Sequence, residues 1–505
     1  MILINSSSRN ALKIFQPFLS VFVPVGIGYL AAFAQKNGIK VSIIDEHIEK
    51  NVFAVVAEHV KMMEKPYIFG FSVVTAAFKN AITVSKKLKE KYPDSIILFG
   101  GIHPTALPDE VLAYSHIDLV IRGEAEESLV EFYKCIKHRT DFTRIPNVSY
   151  KKDGRIFHNT IIPLMVDFND LPDFPYHLFE SKQYDLGFVV SSRGCPYRCI
   201  FCSNRVTTGK KYRYYPEQRI IKDLKLLYEK YHQKNIAFLD DNLLVNKDRI
   251  YNLIDGIKSA GLDKKIKFGF QARGDNVNYK ILKDMYDCGF KNVFFGLETA
   301  SEEIMKYIKK DETVEECVKA VKLAQKIGFH VSATFIYGLP GDSHFHRMNC
   351  LKLSKNLRLD MVRYNNATPY PGTELYKIAE SEGKLVIKGL YDNFSSVSVF
   401  IENPFRKIPF SYVPKNNSED DIRNDTLYSY FSFYFNMAKL TSIFKHPEKS
   451  GGWFNAGESV IELIKKIPAL LLLSFFLVVK FYILILGKFI NFIIGGILCH
   501  TSRKN

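Results

Sequence analysis

The chain is constrained most by an alternation of short apolar runs with longer amphipathic stretches, which occurs twice along its length. In the first series, residues 2–150, the apolar runs are continuous, and stretches with helical spacing separate them. Continuous apolar strands are typical of a parallel sheet covered by helices on both faces. The pattern predicts a doubly wound α/β domain, which binds ligands beyond the carboxyl ends of its strands. The predicted strands are residues 2–5, 41–45, 67–72, 96–101 and 119–123, and the predicted helices are residues 25–37, 51–63, 76–91 and 126–138.

The second series begins at Leu186 and contains six further βα units. Six units are too few for the usual eight-stranded barrel, so we predict an open or partial (βα)6 barrel whose active site lies at the carboxyl ends of the strands. The predicted strands are residues 187–192, 235–241, 266–271, 292–298, 330–338 and 361–366. The expected domains are residues 1–150, a linker at 151–184, the barrel at 185–390, a helical region at 391–460 and an apolar tail at 461–505.

Charge and cysteine content narrow the class of protein. The formal charge of +16 is compatible with nucleic acid, a membrane surface or an anionic ligand. We find no basic patch interleaved with aromatic residues, so nucleic acid is not expected as a partner. Eight cysteines in 505 residues are too sparse for a disulfide scaffold. Because the amino terminus also lacks a signal-peptide pattern, we expect a reducing cytoplasmic location.

Three of the cysteines form a compact motif. Cys195, Cys199 and Cys202 follow the predicted strand 187–192 with the spacing C-x3-C-x2-C. Three thiolates on one loop can bind three irons of a 4Fe-4S cluster and leave the fourth iron open to a small molecule. Zinc is the alternative, but a zinc site usually has a second pair of Cys or His ligands, and His232 and Cys288 are isolated. The motif therefore favours the cluster.

This motif, at the end of the first strand of a partial barrel, resembles that of the radical S-adenosylmethionine superfamily. The resemblance covers roughly residues 185–375. It implies that the open iron binds S-adenosylmethionine and that one electron cleaves this cofactor to a 5′-deoxyadenosyl radical. It also implies an electron donor such as flavodoxin or ferredoxin.

The same resemblance suggests further residues that contact S-adenosylmethionine, all of them at strand ends. Each has a simpler alternative: an aspartate as a helix N-cap, the arginine in a surface ion pair, the glycine in an ordinary turn. The candidates are Asp240, Asp241, Gln271, Arg273, Glu298 and Gly338.

Residues 98–132 resemble the cobalamin-binding domain that precedes the radical domain in one large subgroup, which includes methyltransferases and anaerobic magnesium-protoporphyrin cyclase-like enzymes. The resemblance implies that cobalamin lies across the strand ends, where glycines allow the backbone to approach it closely. A domain that has lost its ligand is the alternative. The implied cobalamin-binding residues are Ser72, Thr75, Gly100, Gly101, His103, Gly123 and Glu124.

The carboxyl-terminal tail is strongly apolar. Residues 467–498 contain two charges, Lys480 and Lys488, in 32 residues. A helix of this length spans about 48 Å, more than the ~30 Å of a bilayer core. From Glu462 onward there are six Lys or Arg and one acidic residue, a net charge of +5. We predict a helical tail that associates with a membrane surface, either spanning it or lying in its interface. A buried helix is the alternative.

Together these features predict a cobalamin-dependent radical S-adenosylmethionine enzyme, most plausibly a methyltransferase that acts on an unactivated carbon. The apolar tail suggests a small hydrophobic or lipid-like substrate, which is an argument from location. An oxidative cyclase or ring-rearranging enzyme of the same subgroup is an alternative. A non-catalytic iron–sulfur or corrinoid sensor at the membrane is an alternative from another class.

Overall fold

The structure is a computed structural model that describes residues 1–8, 21–161, 168–181, 183–397 and 408–434, together with residues 471, 475, 478, 479 and 482. The first eight strands in chain order are β1 Ile2–Asn5, β2 Val21–Phe22, β3 Ser42–Asp45, β4 Ile68–Ser72, β5 Ile96–Gly100, β6 Leu119–Ile121, β7 Val148–Lys152 and β8 Arg155–His158. All except β2 form one sheet in the order β3-β1-β4-β5-β6-β7-β8.

The first five strands of this sheet, from β3 to β6, are parallel, and helices cover both faces. The helices are α1 Val25–Lys36, α2 Val52–Val60, α3 Phe78–Lys91, α4 Ile102–Ala106, α5 Pro108–Leu112 and α6 Glu126–His138. Helices α2, α3 and α5 share one apolar core with the sheet, and α1 and α6 share another. The predicted doubly wound domain is therefore confirmed.

The hairpin of β7 and β8 extends the sheet beyond the predicted boundary at residue 150. The strands pair antiparallel, and Asp153 and Gly154 between them have φ values of 51° and 72°. Two consecutive positive φ angles match the twist of a tight hairpin turn. The first eight residues of the predicted linker thus belong to the sheet.

The second domain contains nine strands: β9 Tyr184–Asp185, β10 Phe188–Val189, β11 Ser192–Arg193, β12 Arg213–Tyr214, β13 Asn235–Phe238, β14 Lys267–Ala272, β15 Phe290–Glu298, β16 His330–Tyr337 and β17 Met361–Asn366. Strands β10, β13, β14, β15, β16 and β17 form a six-stranded parallel sheet in that order. This order confirms the predicted partial barrel. Strand β10 is shorter than predicted because Ser192 leaves the sheet and pairs antiparallel with Tyr214.

Nine helices accompany the described strands of this domain, and all of them except α7 contribute to the core on one face of the barrel sheet. They are α7 Asn204–Thr208, α8 Glu217–Glu229, α9 Lys247–Ser259, α10 Tyr279–Asp287, α11 Glu302–Tyr307, α12 Val314–Ile327, α13 His344–Asn356, α14 Glu374–Ser381 and α15 Glu419–Tyr434. Alternate strand residues such as Phe270, Phe295 and Phe335 are buried in the helix-side core. The opposite face, which we call the inward face, is less buried. It carries Gly269, Gln271, Phe294, Gly296, Thr334, Ile336, Arg363 and Asn365.

Helix α15 covers the edge of the barrel. The backbone N–H of Tyr364 donates to the hydroxyl of Tyr430 at 2.9 Å, and that of Val362 donates to the hydroxyl of Tyr434 at 3.0 Å. The Tyr434 hydroxyl also donates to the carbonyl of Val362 at 2.8 Å. An edge strand otherwise exposes such groups as a template for another chain, and here two tyrosines satisfy them.

Helix α15 lies within the expected helical region 391–460, most of which falls outside the described residues. The predicted apolar tail lies outside the described residues except for the five isolated positions. Within the described part of the chain, no helix combines the length and the apolar character that crossing a bilayer requires.

Candidate active site at the facing strand ends

The strand ends of the two domains are joined by buried arginine–carboxylate pairs. The guanidinium of Arg213 donates to both oxygens of Glu124, at 2.7 and 2.8 Å. Arg193 donates to Glu126 at 2.8 Å and lies 3.5 Å from Glu124. Bidentate pairs of this kind fix orientation as well as distance. Glu124, implied by resemblance as a cobalamin residue, therefore also connects the domains.

The cysteine loop continues directly into a contact with the amino-terminal domain. Helix α7, which starts two residues after Cys202, packs on α4. Gly372 fits between them: a Cβ there would lie 2.9 Å from Val206 of α7 and 3.1 Å from Ala106 of α4. The loop therefore lies beside the strand ends that carry the candidate cobalamin residues.

The backbone of the cysteine loop is fixed at several points. Gly194 has φ +85°, and a Cβ at this position would clash with the carbonyl of Lys211, so the turn into the loop requires glycine. The N–H of Ile200 donates to the carbonyl of Ile308 at 3.1 Å, and its carbonyl accepts from Leu375 at 2.9 Å. These bonds tie the loop to the ends of α11 and α14.

The three cysteines are free thiols and half-buried. Burial raises the pKa of each, that of Cys202 to about 12, so without a metal all three are protonated at neutral pH. Within the described residues, no three His, Cys, Asp or Glu side chains are grouped to hold a single ion. A cubane cluster takes each thiolate on a different iron, so a set of unpaired sulfur donors on one loop fits it.

The two aspartates after β13 have different environments. Asp240 is buried and accepts from the backbone N–H of Ser191 at 3.3 Å and from its hydroxyl at 2.9 Å. Asp241 accepts from the side chain of Asn204 at 2.6 Å, beside the cysteine loop. Burial, with the charge of Asp240, raises the pKa of Asp241 to about 6. Asp241 is the aspartate that faces the loop. The helix N-cap alternative is wrong, because Asn246 caps α9.

Arg273 is not a surface residue, so the surface ion-pair alternative is wrong. Its guanidinium lies 3.6 Å from the centre of the Tyr197 ring, inside the cysteine loop. It also donates to Asp275 at 3.0 and 3.1 Å. Gln271, two residues earlier on the same face of β14, is exposed and reachable from the inward face.

Glu298 ends β15 in a strained conformation, with φ +62°. It is buried, burial raises its pKa, and its Oε2 has no hydrogen-bond partner among the described residues. Its Oε1 lies 3.5 Å from the ammonium of Lys310, which is 2.9 Å from Glu312. Burial lowers the pKa of Lys310, but the two carboxylates more than offset this and keep the pKa above its usual value. The free oxygen of Glu298 fits a ligand that donates a hydroxyl.

Gly338 occupies a turn that depends on a buried ion cluster. Its φ is +82°, and its N–H donates to Asp342 at 2.6 Å. Arg347 lies 3.2 Å from Asp342 and 2.7 Å from Asp425 of α15. The backbone of Gly338 has the geometry of an ordinary turn, as the simpler alternative proposed. Helix α15 stabilises this turn through the ion pair of Asp425 with Arg347.

The candidate cobalamin residues lie at the ends of β4, β5 and β6. Gly101 has φ +96°, and a Cβ there would lie 2.8 Å from the backbone nitrogen of Val73. His103 is completely buried, 4.1 Å from the Phe78 ring and 4.8 Å from the Tyr391 ring by centroids. In the described structure neither ring nitrogen of His103 has a hydrogen-bond partner, and burial lowers its pKa to about 3.

The remaining cobalamin candidates surround these two. The N–H of Gly123 donates to the hydroxyl of Thr105 at 2.9 Å, and a Cβ at Gly100 would lie 3.5 Å from the carbonyl of Ile121. Ser72 ends β4 half-buried, and Thr75 is buried three residues later. The close approach at Gly101 is between two protein segments, and the unpartnered imidazole of His103 is the observation at these strand ends that fits a polar ligand.

Comparison with known proteins identifies the chain's family. The profile of the Radical SAM superfamily matches residues 189–353, and that of the B12 binding domain matches residues 14–133. An uncharacterized methyltransferase of Pyrococcus horikoshii is 31% identical over 430 residues, which cover 84% of this chain and 90% of that protein. The chain belongs to the radical S-adenosylmethionine superfamily.

Two further proteins extend this comparison. The anaerobic magnesium-protoporphyrin IX monomethyl ester cyclase of Cereibacter sphaeroides is 22% identical over 447 residues, covering 85% of this chain and 69% of the cyclase. The cobalamin-dependent S-adenosylmethionine radical enzyme OxsB, solved with aqua-cobalamin and S-adenosylmethionine, has a TM-score of 0.67 at 18% identity. That match covers 94% of this chain and 75% of OxsB and shows the shared fold.

This radical S-adenosylmethionine enzyme therefore uses a 4Fe-4S cluster, S-adenosylmethionine and cobalamin, as predicted. The sequence reasoning missed two features of the site. Lys310 lies twelve residues after Glu298, and nothing in the local pattern connects them. Arg193 and Arg213 flank the cysteine motif, and only the position of Arg193 directly before Gly194 and Cys195 hinted at a role.

Proposed function

We propose that the protein is a cobalamin-dependent methyltransferase that methylates an unactivated carbon of a small hydrophobic or lipid-like molecule. The observation that carries the proposal is the packing of α7, next to the cysteine loop, on α4, next to the candidate cobalamin residues. This packing supports a mechanism in which a radical source and a methyl carrier act at one place. The Pyrococcus horikoshii relative, itself a methyltransferase by name, supports the proposal.

When bound, the cluster and S-adenosylmethionine supply a radical that abstracts hydrogen, and cobalamin supplies the methyl group. The chain's own residues orient these groups. We propose that Cys195, Cys199 and Cys202 hold the cluster, and that the carboxylates of Asp241 and Glu298 accept hydrogen bonds from the amino and ribose hydroxyl groups of S-adenosylmethionine. The pairs Arg213–Glu124 and Arg193–Glu126 keep the two domains in register.

The remaining candidates are proposed contacts in the same site. On the S-adenosylmethionine side they are Asp240, which supports Asp241, together with Gln271, Arg273 and Gly338. On the cobalamin side they are Ser72, Thr75, Gly100, Gly101, His103, Gly123 and Glu124.

The test is the fate of the methyl group. Anaerobically reconstituted enzyme is incubated with S-adenosylmethionine labelled with ¹³C on its methyl, a low-potential reductant and a lipid extract of the source cells. We expect the label in one hydrophobic product, together with 5′-deoxyadenosine. A product without the label contradicts methylation and favours the cyclase alternative, which the Cereibacter sphaeroides relative supports.

The sensor alternative predicts neither product, and membership in an enzyme superfamily favours catalysis over it. We also propose that flavodoxin or ferredoxin supplies the electron. Replacement of the chemical reductant by either protein with its reductase should then sustain 5′-deoxyadenosine formation.

We propose in addition that the carboxyl-terminal tail binds a membrane surface. Four of its described residues, Leu471, Phe475, Val478 and Tyr482, are helical, large, apolar and exposed. Their spacing of four, three and four places them on one side of a helix. Sedimentation with phosphatidylglycerol vesicles should fall strongly when Leu471 and Phe475 are both changed to Lys. The matched control is Phe345→Lys, which alters an exposed phenylalanine of α13.

A further inference from the structure

Arg363 stands out on the inward face of the barrel. It is the exposed residue at the centre of β17, the last strand. Its guanidinium lies over the ring of Phe294, 5.4 Å from the ring centre, so the side chain extends back across the inward face. Across the described residues, its guanidinium has no carboxylate partner and no hydrogen bond. The guanidinium of Arg363 is therefore free to bind an anionic ligand.

Asn365 lies two residues further along the same face of β17. Its Oδ1 is buried and has no hydrogen-bond partner within the described structure. A buried carbonyl oxygen without a donor costs free energy unless water or a ligand supplies one. The strand therefore offers a guanidinium and, two residues further on, an acceptor that suits a hydroxyl or N–H donor of a ligand.

The strand register relates the backbone of Arg363 to the ion cluster around Glu298. In the parallel register, Arg363 is opposite Thr334, which is opposite Gly296. Two strand spacings separate Arg363 from Gly296, roughly 10 Å. A Cβ at Gly296 would lie 3.2 Å from the ammonium of Lys310, the partner of Glu298. The guanidinium itself lies over Phe294, two residues before Gly296, so a ligand anchored there and directed along β15 would reach the proposed S-adenosylmethionine site.

Apolar side chains flank the guanidinium on the inward face, and Thr334 is the polar residue directly between Arg363 and Gly296. Phe294 and Ile336 lie on the inward face beside Arg363 and Asn365. An apolar floor that ends at one guanidinium fits a molecule with an apolar body and one anionic group. A guanidinium binds carboxylate and phosphate oxygens in the same two-point manner.

We infer that Arg363 binds an anionic oxygen group of the substrate, a carboxylate or a phosphate, while the apolar body lies on Phe294 and Ile336. The inference rests on the proposed function and narrows its substrate class from hydrophobic to amphipathic with an anionic end. It makes Arg363 a specificity-determining residue, since a neutral molecule leaves the guanidinium without its partner.

The test measures binding, which does not require the natural substrate. Dissociation constants are determined by anaerobic calorimetry on the reconstituted holoenzyme with S-adenosylmethionine bound. The probes are octanoate, octyl phosphate, octan-1-ol, octylammonium and inorganic phosphate. We expect octanoate or octyl phosphate to bind at least about tenfold more tightly than octanol, and the better of the two identifies the anion.

The variants are Arg363→Gln and the control Lys352→Gln, which removes one positive charge from an exposed position on α13. Arg363→Gln should reduce the binding of the preferred anion to the level of octanol, and Lys352→Gln should leave it unchanged. Equal binding of anion and alcohol to the unaltered enzyme would overturn the inference, as would selectivity that survives in Arg363→Gln. Inorganic phosphate binding as tightly as octyl phosphate would contradict the role of the apolar floor.

A further measurement separates substrate from cofactor. The affinity for S-adenosylmethionine and the rate of its reductive cleavage should be the same in Arg363→Gln and the unaltered enzyme. A matching loss of S-adenosylmethionine affinity would assign the guanidinium to the cofactor and overturn the inference. If the inference holds and the methyl-label experiment fails, only the proposed methylation is lost, because anion selectivity is measured independently of turnover.

Discussion

The two sets of strand ends that meet at the active site are built differently. On the barrel side, the polar groups already bind one another: Lys310 with Glu298 and Glu312, and Arg273 with Asp275. On the amino-terminal side, glycines approach the backbone closely, and His103 is buried without a hydrogen-bond partner in the part that is described. The barrel side is therefore held by paired charges, and the amino-terminal side by close backbone packing.

The two sides differ in how far each binding site is preformed before its ligand binds. A network of buried ion pairs keeps its geometry without the ligand, because breaking one pair leaves a buried charge uncompensated. Close backbone packing at Gly101 is also formed without a ligand, and the buried imidazole of His103 is the group on this side that still lacks a hydrogen-bond partner among the described residues. The following predictions test this contrast, from the largest expected effect to the smallest.

Cys199→Ala should abolish the chemistry on the barrel side. The cluster loses one of its three thiolates, so iron content and the cubane spin-resonance signal should fall, and product formation should drop at least ~10³-fold. Cys135→Ala, in helix α6 of the other domain, is the control and should retain both. Normal iron content in Cys199→Ala would contradict the assignment of the cluster.

Lys310→Met should weaken S-adenosylmethionine binding by about 10- to 100-fold. Without the ammonium, the buried carboxyl of Glu298 has a still higher pKa and becomes a poorer acceptor. Lys309→Met alters the neighbouring lysine, which forms an exposed pair with Glu374, and should change the affinity less than twofold. Equal effects in the two variants would show that charge, not position, matters at this site.

Gly101→Ala should destabilise the amino-terminal side by about 2–4 kcal/mol, because the new methyl meets the backbone of Val73 at a positive φ. Bound corrinoid should decrease with it. Gly154→Ala is the matched control, since its φ is +72° but nothing lies within 4 Å of a Cβ there. It should cost about 1 kcal/mol in urea unfolding and keep the corrinoid. Similar losses in both would refute the close-approach argument.

His103 should make the apoprotein less stable in mild acid. The folded-state pKa of about 3 lies below the ~6.5 of an unfolded histidine, so the unfolded state takes up the proton first as the pH falls. The free energy of unfolding should therefore decrease by about 2 kcal/mol from this group between pH 7.5 and pH 5. His103→Phe removes this contribution, and the difference between the two urea-unfolding profiles measures it. Parallel profiles would indicate that the imidazole is not buried.

The sequence predicts the scaffold well because alternating apolar runs are local signals. Strand β17 and helix α6 have the residues that the patterns predict, and the hairpin follows from Asp153-Gly154. The errors occur where a distant contact overrides the local pattern. Ser192 belongs to an apolar run, yet it leaves the sheet to pair with Tyr214, twenty-two residues later.

The site was predictable only where the residues form a motif. The three cysteines and Glu298 stand at strand ends, and topology brings strand ends together. Lys310 follows α11 and reaches Glu298 from the side, which no local spacing reveals. Asp240 and Asp241 are adjacent in sequence, but their side chains point in different directions. Asp240 accepts a hydrogen bond from Ser191, and Asp241 accepts one from Asn204 beside the cysteine loop. The sequence alone does not distinguish the roles of these two aspartates, because it does not show at which residue β13 ends.

The tyrosine hydroxyls that cover strand β17 also decide what loosening of α15 would expose. Tyr434 is bonded to Val362, the immediate neighbour of Arg363, so release of the end of α15 would leave the N–H and carbonyl of Val362 without these bonds. The edge of the barrel sheet would then be open to pairing with another chain. The attachment of α15 therefore also protects the barrel against self-association.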